Sequence, residues 1–246
     1  MEPEQPSNSR SNQGSEIFNQ ILQSEGERLR WQIEGLQASY LVFSQNFVAL
    51  RAIVEYVENT DNREKFIGIH QRDVLKALQR DTMRHLHNLL AGAGTLIDHT
   101  RVLVMRLYPA GHYFCKEYEN KVKELFGRSG PAGLVKGMRN WVLHRDILPL
   151  KFTIGLFTNR AQAVVLDLDQ LNTFDGWDSR ARALLTAHQS DIRVLPLMQE
   201  YHDQVEQFYT WLSQRMNEIH AEAFEELRDL QSKYQAYMPP GLKGFA

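Results

Sequence analysis

The chain has 246 residues and a mass of 28.6 kDa, with 43% hydrophobic and 24% charged residues, enough apolar content to bury a core without covalent staples. Its 28 Lys+Arg against 30 Asp+Glu, a formal net charge of −2, exclude a histone-like polycation and an acidic disordered chain, and the single cysteine, Cys115, excludes a disulfide framework or a Cys-rich zinc ribbon. No apolar run approaches the roughly 20 residues that span a bilayer and no apolar secretory core opens the sequence, so a soluble, cytoplasmic protein with no membrane contact is expected.

The net charge is an average over three unlike segments. Residues 1–62 carry a net −5, residues 63–160 a net +9 and residues 161–246 a net −6. A basic middle can hold phosphate or a polyanion; equally, the acidic flanks can fold back on it as neutralising helices. Charge alone leaves both open.

In chain order, residues 1–14 are polar and rich in Pro, Ser and Asn, and are expected to be a disordered tail. Helical pattern follows from about Ser15 to Asn59, best defined by Leu36, Tyr40, Phe43, Phe47, Leu50, Val54 and Val57, whose alternating steps of four and three form one stripe. A second helix is predicted from about His70 to Leu107, with the stripe Leu86, Leu89, Leu90, Ala93, Ile97, Thr100, Val104 and Leu107. Ala91-Gly92-Ala93-Gly94 inside it costs about 1 kcal/mol per glycine relative to alanine, which points to close approach of another backbone, or else to a kink. Shorter helices are predicted over about Gly111–Phe126 and Ala132–Ile147, the latter opening behind Pro131 and closing before Pro149. Residues 151–170 then read as a β-hairpin, Phe152–Phe157 and Ala163–Leu168 around Thr158–Gln162. A linker leads to one last helix, from near Ile192 to Tyr237, a rod of roughly 60 Å that is expected to pair with the long N-terminal helix in the same chain or across a dimer. Residues 239–246 form a tail. The fold class is mainly α: a helical bundle over residues 15–150, an appended hairpin at 151–170, and a linker with a long C-terminal helix over 171–238.

Several chemistries lose their usual signatures, since neither HExxH nor CxxC, nor a P-loop, a dinucleotide fingerprint or a nucleophile elbow is present. His202 and Glu206 have ligand-compatible spacing, a pattern common on solvated helices, and neither a metal nor any other cofactor is expected. The segment Leu134–Pro149 is different. Leu134, Met138, Trp141 and Val142 fall on one arc that should face the core, while Asn140 and His144 stack four apart on another, flanked by Arg139. Arginine can hold a phosphate bidentately, histidine can move a proton near neutrality, and the amide can fix the imidazole or contact a ribose. The plainer alternative is that Arg139 and His144 cap carbonyls at a helix end, where cations are favoured.

Arg139-Asn140-x-x-x-His144, on a helix closed by Leu148-Pro149, resembles the R-x(4–6)-H motif of the HEPN superfamily, in which a polar residue commonly follows the arginine. His87–Arg101 is also similar to an earlier helix of bacterial HEPN-like proteins of unassigned role, so the resemblance spans about residues 70–150. It implies a compact all-helical, often dimeric domain. It also implies metal-independent endoribonuclease chemistry of the toxin–antitoxin or phage-defence kind. Arg139, Asn140 and His144 would then be catalytic, His144 assisting attack of the ribose 2′-hydroxyl and Arg139 stabilising the anionic transition state, with 2′,3′-cyclic phosphate and 5′-hydroxyl products. Asn88, Thr95 and His99 form a polar stripe that can line the same cleft or simply face solvent, and Arg145 joins them as a substrate-binding residue. Asp98 with Arg101 reads as an ordinary i,i+3 ion pair. RNA, a second copy of the chain and an antitoxin or effector protein are the partners this reading expects. The alternative is a non-catalytic HEPN-like module that binds RNA or nucleotide, or a dimeric scaffold.

Overall fold

A computed structural model describes residues 6–66, 71–153 and 162–237, with side chains from residue 12 onward. Helix accounts for 81% of the structure, in ten helices among the described residues, against one small three-stranded antiparallel sheet. The fold is therefore mainly α with an appended hairpin, as the sequence predicts. No helix among the described residues is long and apolar enough to cross a membrane.

The chain divides into two compact units, Met1–Gln37 with Thr210–Ala246, and Ala38–Tyr209. In the first, helix α1 (Pro6–Gln23) packs with α9 (Ala221–Gln235), and α2 (Glu25–Glu58) approaches α9 closely at Gly26, against Ala223 and Leu227. The expected disordered tail is corrected here, since α1 starts at Pro6 and not after Gly14; residues 1–5 lie outside the described residues. Gly14 is buried against Tyr237, Phe18 packs its ring 5.4 Å from that of Tyr234, and these contacts supply the burial that the polar composition of residues 6–14 does not advertise. The single helix expected over residues 15–59 is interrupted at Ser24. The Ser24 hydroxyl accepts a hydrogen bond from the Glu27 amide at 3.2 Å and starts α2, the S-x-x-E pattern of a capping box. The long C-terminal rod is likewise two helices, α8 (Val194–Ile219) and α9, with His220 between them.

In the second unit α2 buries the stripe the sequence defines, with Phe43, Leu50, Val54 and Val57 fully enclosed and Tyr40 half-buried. A 3-10 turn (Thr60–Phe66) leads to α3 (Arg72–Leu107), followed by α4 (Tyr113–Phe126) and α5 (Gly130–His144). On α3 the inward line runs through Leu86, Leu89, Leu90, Ala93, Leu96, Thr100, Leu103 and Val104, while Ile97, expected in the core, is 47% exposed. The reason is geometric. Three steps from Ala93 to Leu96 and four to Thr100 keep one stripe, and Thr100 satisfies its buried hydroxyl on the Leu96 carbonyl at 2.7 Å.

The hairpin is part of a three-stranded sheet. Strands β1 (Leu150–Thr153) and β2 (Ala163–Leu166) pair with Leu150 opposite Leu166, and a short β3 (Ile192–Arg193) pairs with β2 immediately before α8. The expected strand residues Ile154–Phe157 and the loop Thr158–Ala161 lie outside the described residues. Residues 168–170, expected in the hairpin, begin the short helix α6 (Leu168–Leu171). The linker also contains α7 (Ser179–Ala187), which the sequence reading missed. Asp178 starts α7 by accepting from the amides of Arg180 and Ala181, and α7 packs along α5 on a line of small residues. A Cβ on Gly133 would lie 2.9 Å from the Ala181 amide, and one on Gly137 would lie 2.2 Å from the Trp177 ring. Acidic side chains from the flanks secure the sheet. Glu58 pairs with Arg193 and accepts from the Val164 amide at 3.0 Å, and Lys151 bridges Asp167 at 2.8 Å and Asp191 at 3.4 Å.

Two outcomes follow from these contacts. Gly137→Val should destabilise the protein by about 1–3 kcal/mol through overpacking against Trp177, read as a lower urea midpoint at unchanged slope. The Lys151 hydrogen bond, aided by the Gln170 amide, holds the Asp167 carboxyl below its usual range, so its stabilisation is present above the ordinary carboxylate range and is lost as pH falls through the lowered folded-state value. Asp167→Asn should lower the melting temperature at neutral pH and flatten its dependence on acidification below about pH 5.

Candidate functional site

Helix α5 is built to project its C-terminal half from a fixed base. Ser129 caps its first turn, accepting from the Ala132 amide at 3.1 Å, and Pro131 occupies the start, where a missing N–H costs nothing. Leu134 and Met138 are fully enclosed and Trp141 is 3% exposed, as expected, whereas Val142 is only half-buried. The helix ends at His144, earlier than the expected Ile147: the Arg145 backbone leaves helical geometry, the Asp146 amide turns back to the Trp141 carbonyl at 3.3 Å, and the Trp141 indole donates to the Ile147 carbonyl at 3.3 Å.

The side chain of Arg139 lies across α3 at Gly94. A Cβ there would meet the guanidinium carbon at 2.4 Å, so only glycine leaves the space that the arginine fills. One turn on, Asp98 stands 3.8 Å from the guanidinium, and Arg101 is 4.0 Å from the same carboxylate. Both separations exceed hydrogen-bond reach, and the Arg139 and Asp98 side chains are 42% and 56% exposed. Lys136, three residues before Arg139 on α5, is exposed on the same side. These groups rim a cavity of about 340 Å³ whose lining also includes Ile97, Thr100, Tyr118, Phe126, Tyr201, Phe208 and Tyr209. Burial pushes the phenols of Tyr118, Tyr201 and Tyr209 above their usual range, so all three are neutral hydroxyls. Tyr209 is hydrogen-bonded to Thr100 and donates to the Leu96 carbonyl at 3.3 Å. Arg180 also touches the cavity, but Asp178 and the Phe126 carbonyl already engage it.

The other expected site residues are not gathered here. His144 is exposed, five positions from Arg139, which turns the two side chains about 140° apart around the helix axis; Asn140 is half-buried between them. Arg145, expected to bind substrate, is exposed but already has protein partners. It donates to the carbonyl and hydroxyl of Thr173 at 3.1 and 2.8 Å and lies over the Trp141 ring at 4.3 Å, clamping the segment after α6. The stripe of Asn88, Thr95 and His99 is exposed, and none of the three is among the described residues that line the cavity at Arg139. His99 is hydrogen-bonded to Ser39 on α2 at 2.7 Å, and Asn88 lies in a separate groove of about 430 Å³ with Arg80, Arg84 and His87.

The spacing His202 and Glu206 gains a third member, since Asp203 brings its carboxylate within 4.8 Å of both. The His202 ring is stacked between Phe43 and Phe47, at 5.7 and 4.2 Å between centroids, and Gln199 donates to Asp203 at 2.7 Å. The sequence reading missed Lys136 and the aromatic lining and saw Arg101 only as an ion-pair partner. Two signals pointed there: the i,i+3 spacing of Lys136 with Arg139, and Gly94 four residues before Asp98.

In comparisons with known proteins, no family model, no curated protein and no solved structure matches this chain.

Gly94→Ala separates the seat of Arg139 from general stability. The clash falls on the mobile end of a side chain, and alanine favours helix by up to about 1 kcal/mol. The variant should unfold no more easily than wild type in urea, while the Arg139 Nε resonance shifts in ¹H–¹⁵N spectra.

Proposed function

We propose that this chain is a HEPN-like binding module for RNA or nucleotide that holds a phosphate on Arg139. One observation carries the reading: the guanidinium seated on Gly94, partly exposed and beyond hydrogen-bond reach of Asp98, its only carboxylate neighbour among the described residues. Its planar fork is free to take two phosphate oxygens. Lys136 and Arg101 add positive potential at the same rim, within the basic block of residues 63–160. A phosphate brings more negative charge than Asp98 and can approach to hydrogen-bond distance, which Asp98 at 3.8 Å does not reach.

A second reading is favoured by the accessibility of the rest of the motif. His144 is exposed, and the neighbouring Leu143 and Ile147 are 60% and 65% exposed, an apolar edge suited to cover by a second chain. In a dimer, His144 and Arg139 could act on one phosphate as a metal-independent endoribonuclease. The 2′-oxygen would attack phosphorus as His144 accepts its proton, the P–O5′ bond would break, and the departing 5′-oxygen would be protonated, leaving a 2′,3′-cyclic phosphate.

Fluorescence anisotropy with a labelled single-stranded RNA in EDTA tests the binding reading. Arg139→Ala should weaken affinity by about 10- to 100-fold, the value of a charge-assisted contact, and Lys136→Ala should reduce the log–log salt slope by about 1. Wild-type affinity in Arg139→Ala refutes the assignment. Cyclic-phosphate products lost in both Arg139→Ala and His144→Ala would establish the second reading.

A further inference from the structure

We infer that the cavity beside Arg139 is a base pocket: it takes one nucleobase, whose own phosphate sits on Arg139, Lys136 and Arg101. This rests on the phosphate-binding reading above and adds what the ligand must carry besides its phosphate.

The cavity, at about 340 Å³, lies at the small end of the range of roughly 300–1,000 Å³ for small-molecule sites. Its floor is ring-lined and closed: Phe43, Tyr201 and Phe208 are 0%, 5% and 4% exposed. Its open side is marked by the exposed members, Ile97 at 47%, the Arg101 side chain at 66% and that of Arg139 at 42%. A ligand must therefore be apolar and flat at one end and anionic at the other. Aromatic walls favour a flat π-system, which gains stacking and edge contacts that an alkyl chain does not.

The polar groups inside are consistent with a base edge and not with a second charge. Thr100 and Tyr209 satisfy each other and the Leu96 carbonyl, so they require nothing of a ligand. Tyr118 lines the wall as a neutral phenol with no protein hydrogen bond among the described residues. It can donate to or accept from an exocyclic base group. Among the described residues no carboxylate other than Asp98 lines the cavity, and Asp98 already faces two arginines.

The chemistry, an aromatic base bearing a phosphate, is offered by a free mononucleotide and by one nucleotide of an RNA strand. Isothermal titration of the full chain with AMP, inorganic phosphate and a short single-stranded RNA, on wild type and on Ile97→Trp, tests the inference and separates the sources. Ile97 is exposed, so a tryptophan there narrows the mouth without repacking the core, and a melting curve verifies the fold. AMP should bind one to one, at least about tenfold more tightly than inorganic phosphate, and Ile97→Trp should cut AMP affinity by about tenfold or more, the scale of one stacked base. If RNA affinity falls in parallel, the pocket reads a strand nucleotide; if only AMP affinity falls, it holds a free mononucleotide. AMP binding no tighter than inorganic phosphate overturns the pocket whatever the variant does, and so does a folded Ile97→Trp that binds AMP as wild type does. In either case a phosphate or RNA affinity that still depends on Arg139 leaves the phosphate-binding reading standing.

Discussion

The arrangement depends on how tightly α5 is gripped on two sides. Along one side, Gly133 and Gly137 let the start of α7 and the Trp177 ring approach closer than any side chain allows; on the other, Gly94 of α3 lets the Arg139 guanidinium lie against a helix backbone. At Gly133 and Gly137 packing at organic-crystal density leaves no room for a Cβ, whereas at Gly94 a Cβ would displace the Arg139 guanidinium. The first contact fixes where α5 stands. The second fixes where its arginine points, so a long and flexible side chain becomes a positioned one. A cation that has already lost rotamer freedom gives up less on binding an anion.

Charge is distributed to the same end. The overall −2 conceals a basic block between acidic flanks, and the flanks neutralise part of it: Asp167 and Asp191 engage Lys151. Within the C-terminal flank Asp178 holds Arg180, and Glu58 of the N-terminal flank takes Arg193. None of these acids reaches Arg139 or Arg101, which share Asp98 at distances where exposed pairs contribute about 0–1 kcal/mol. The flanks thus reach some cations of the basic block and leave others. At the hairpin Lys151 is neutralised, while Arg101, Lys136 and Arg139 stand together beside an aromatic cavity with Asp98.

The sequence made much of the framework legible because strong periodicity leaves little choice. The stripe from Leu36 to Val57 on α2 and the core arc of α5 are where a 3.6-residue repeat puts them. The small residues of α3 were legible as a close-approach site, though not what approaches, since Arg139 is 45 positions away in sequence. Breaks within long helices were harder to read: Ser24 carries a capping-box signal inside an uninterrupted apolar pattern, and His220 carries none. Helix α7 was hidden because its stability resides in contacts with α5 glycines and in the Asp178 cap, and little in its own short repeat. The site was half legible. Arg139 was named from its motif, but Arg145 is consumed by Thr173 and Trp141, and helical geometry turns His144 away from Arg139. The Arg145 contacts are tertiary and have no local signature, whereas the angle between Arg139 and His144 follows from their spacing alone.

The central claim is that Arg139, seated on Gly94, is the phosphate ligand of this protein. The most direct measurement is the ¹H–¹⁵N spectrum of the arginine side chains, assigned by single substitution, during titration with AMP. The account predicts that the Arg139 Nε resonance shifts to saturation at one equivalent while those of Arg145 and Arg180, held by protein partners, stay in place. Saturable AMP binding with an unmoved Arg139 resonance would contradict it.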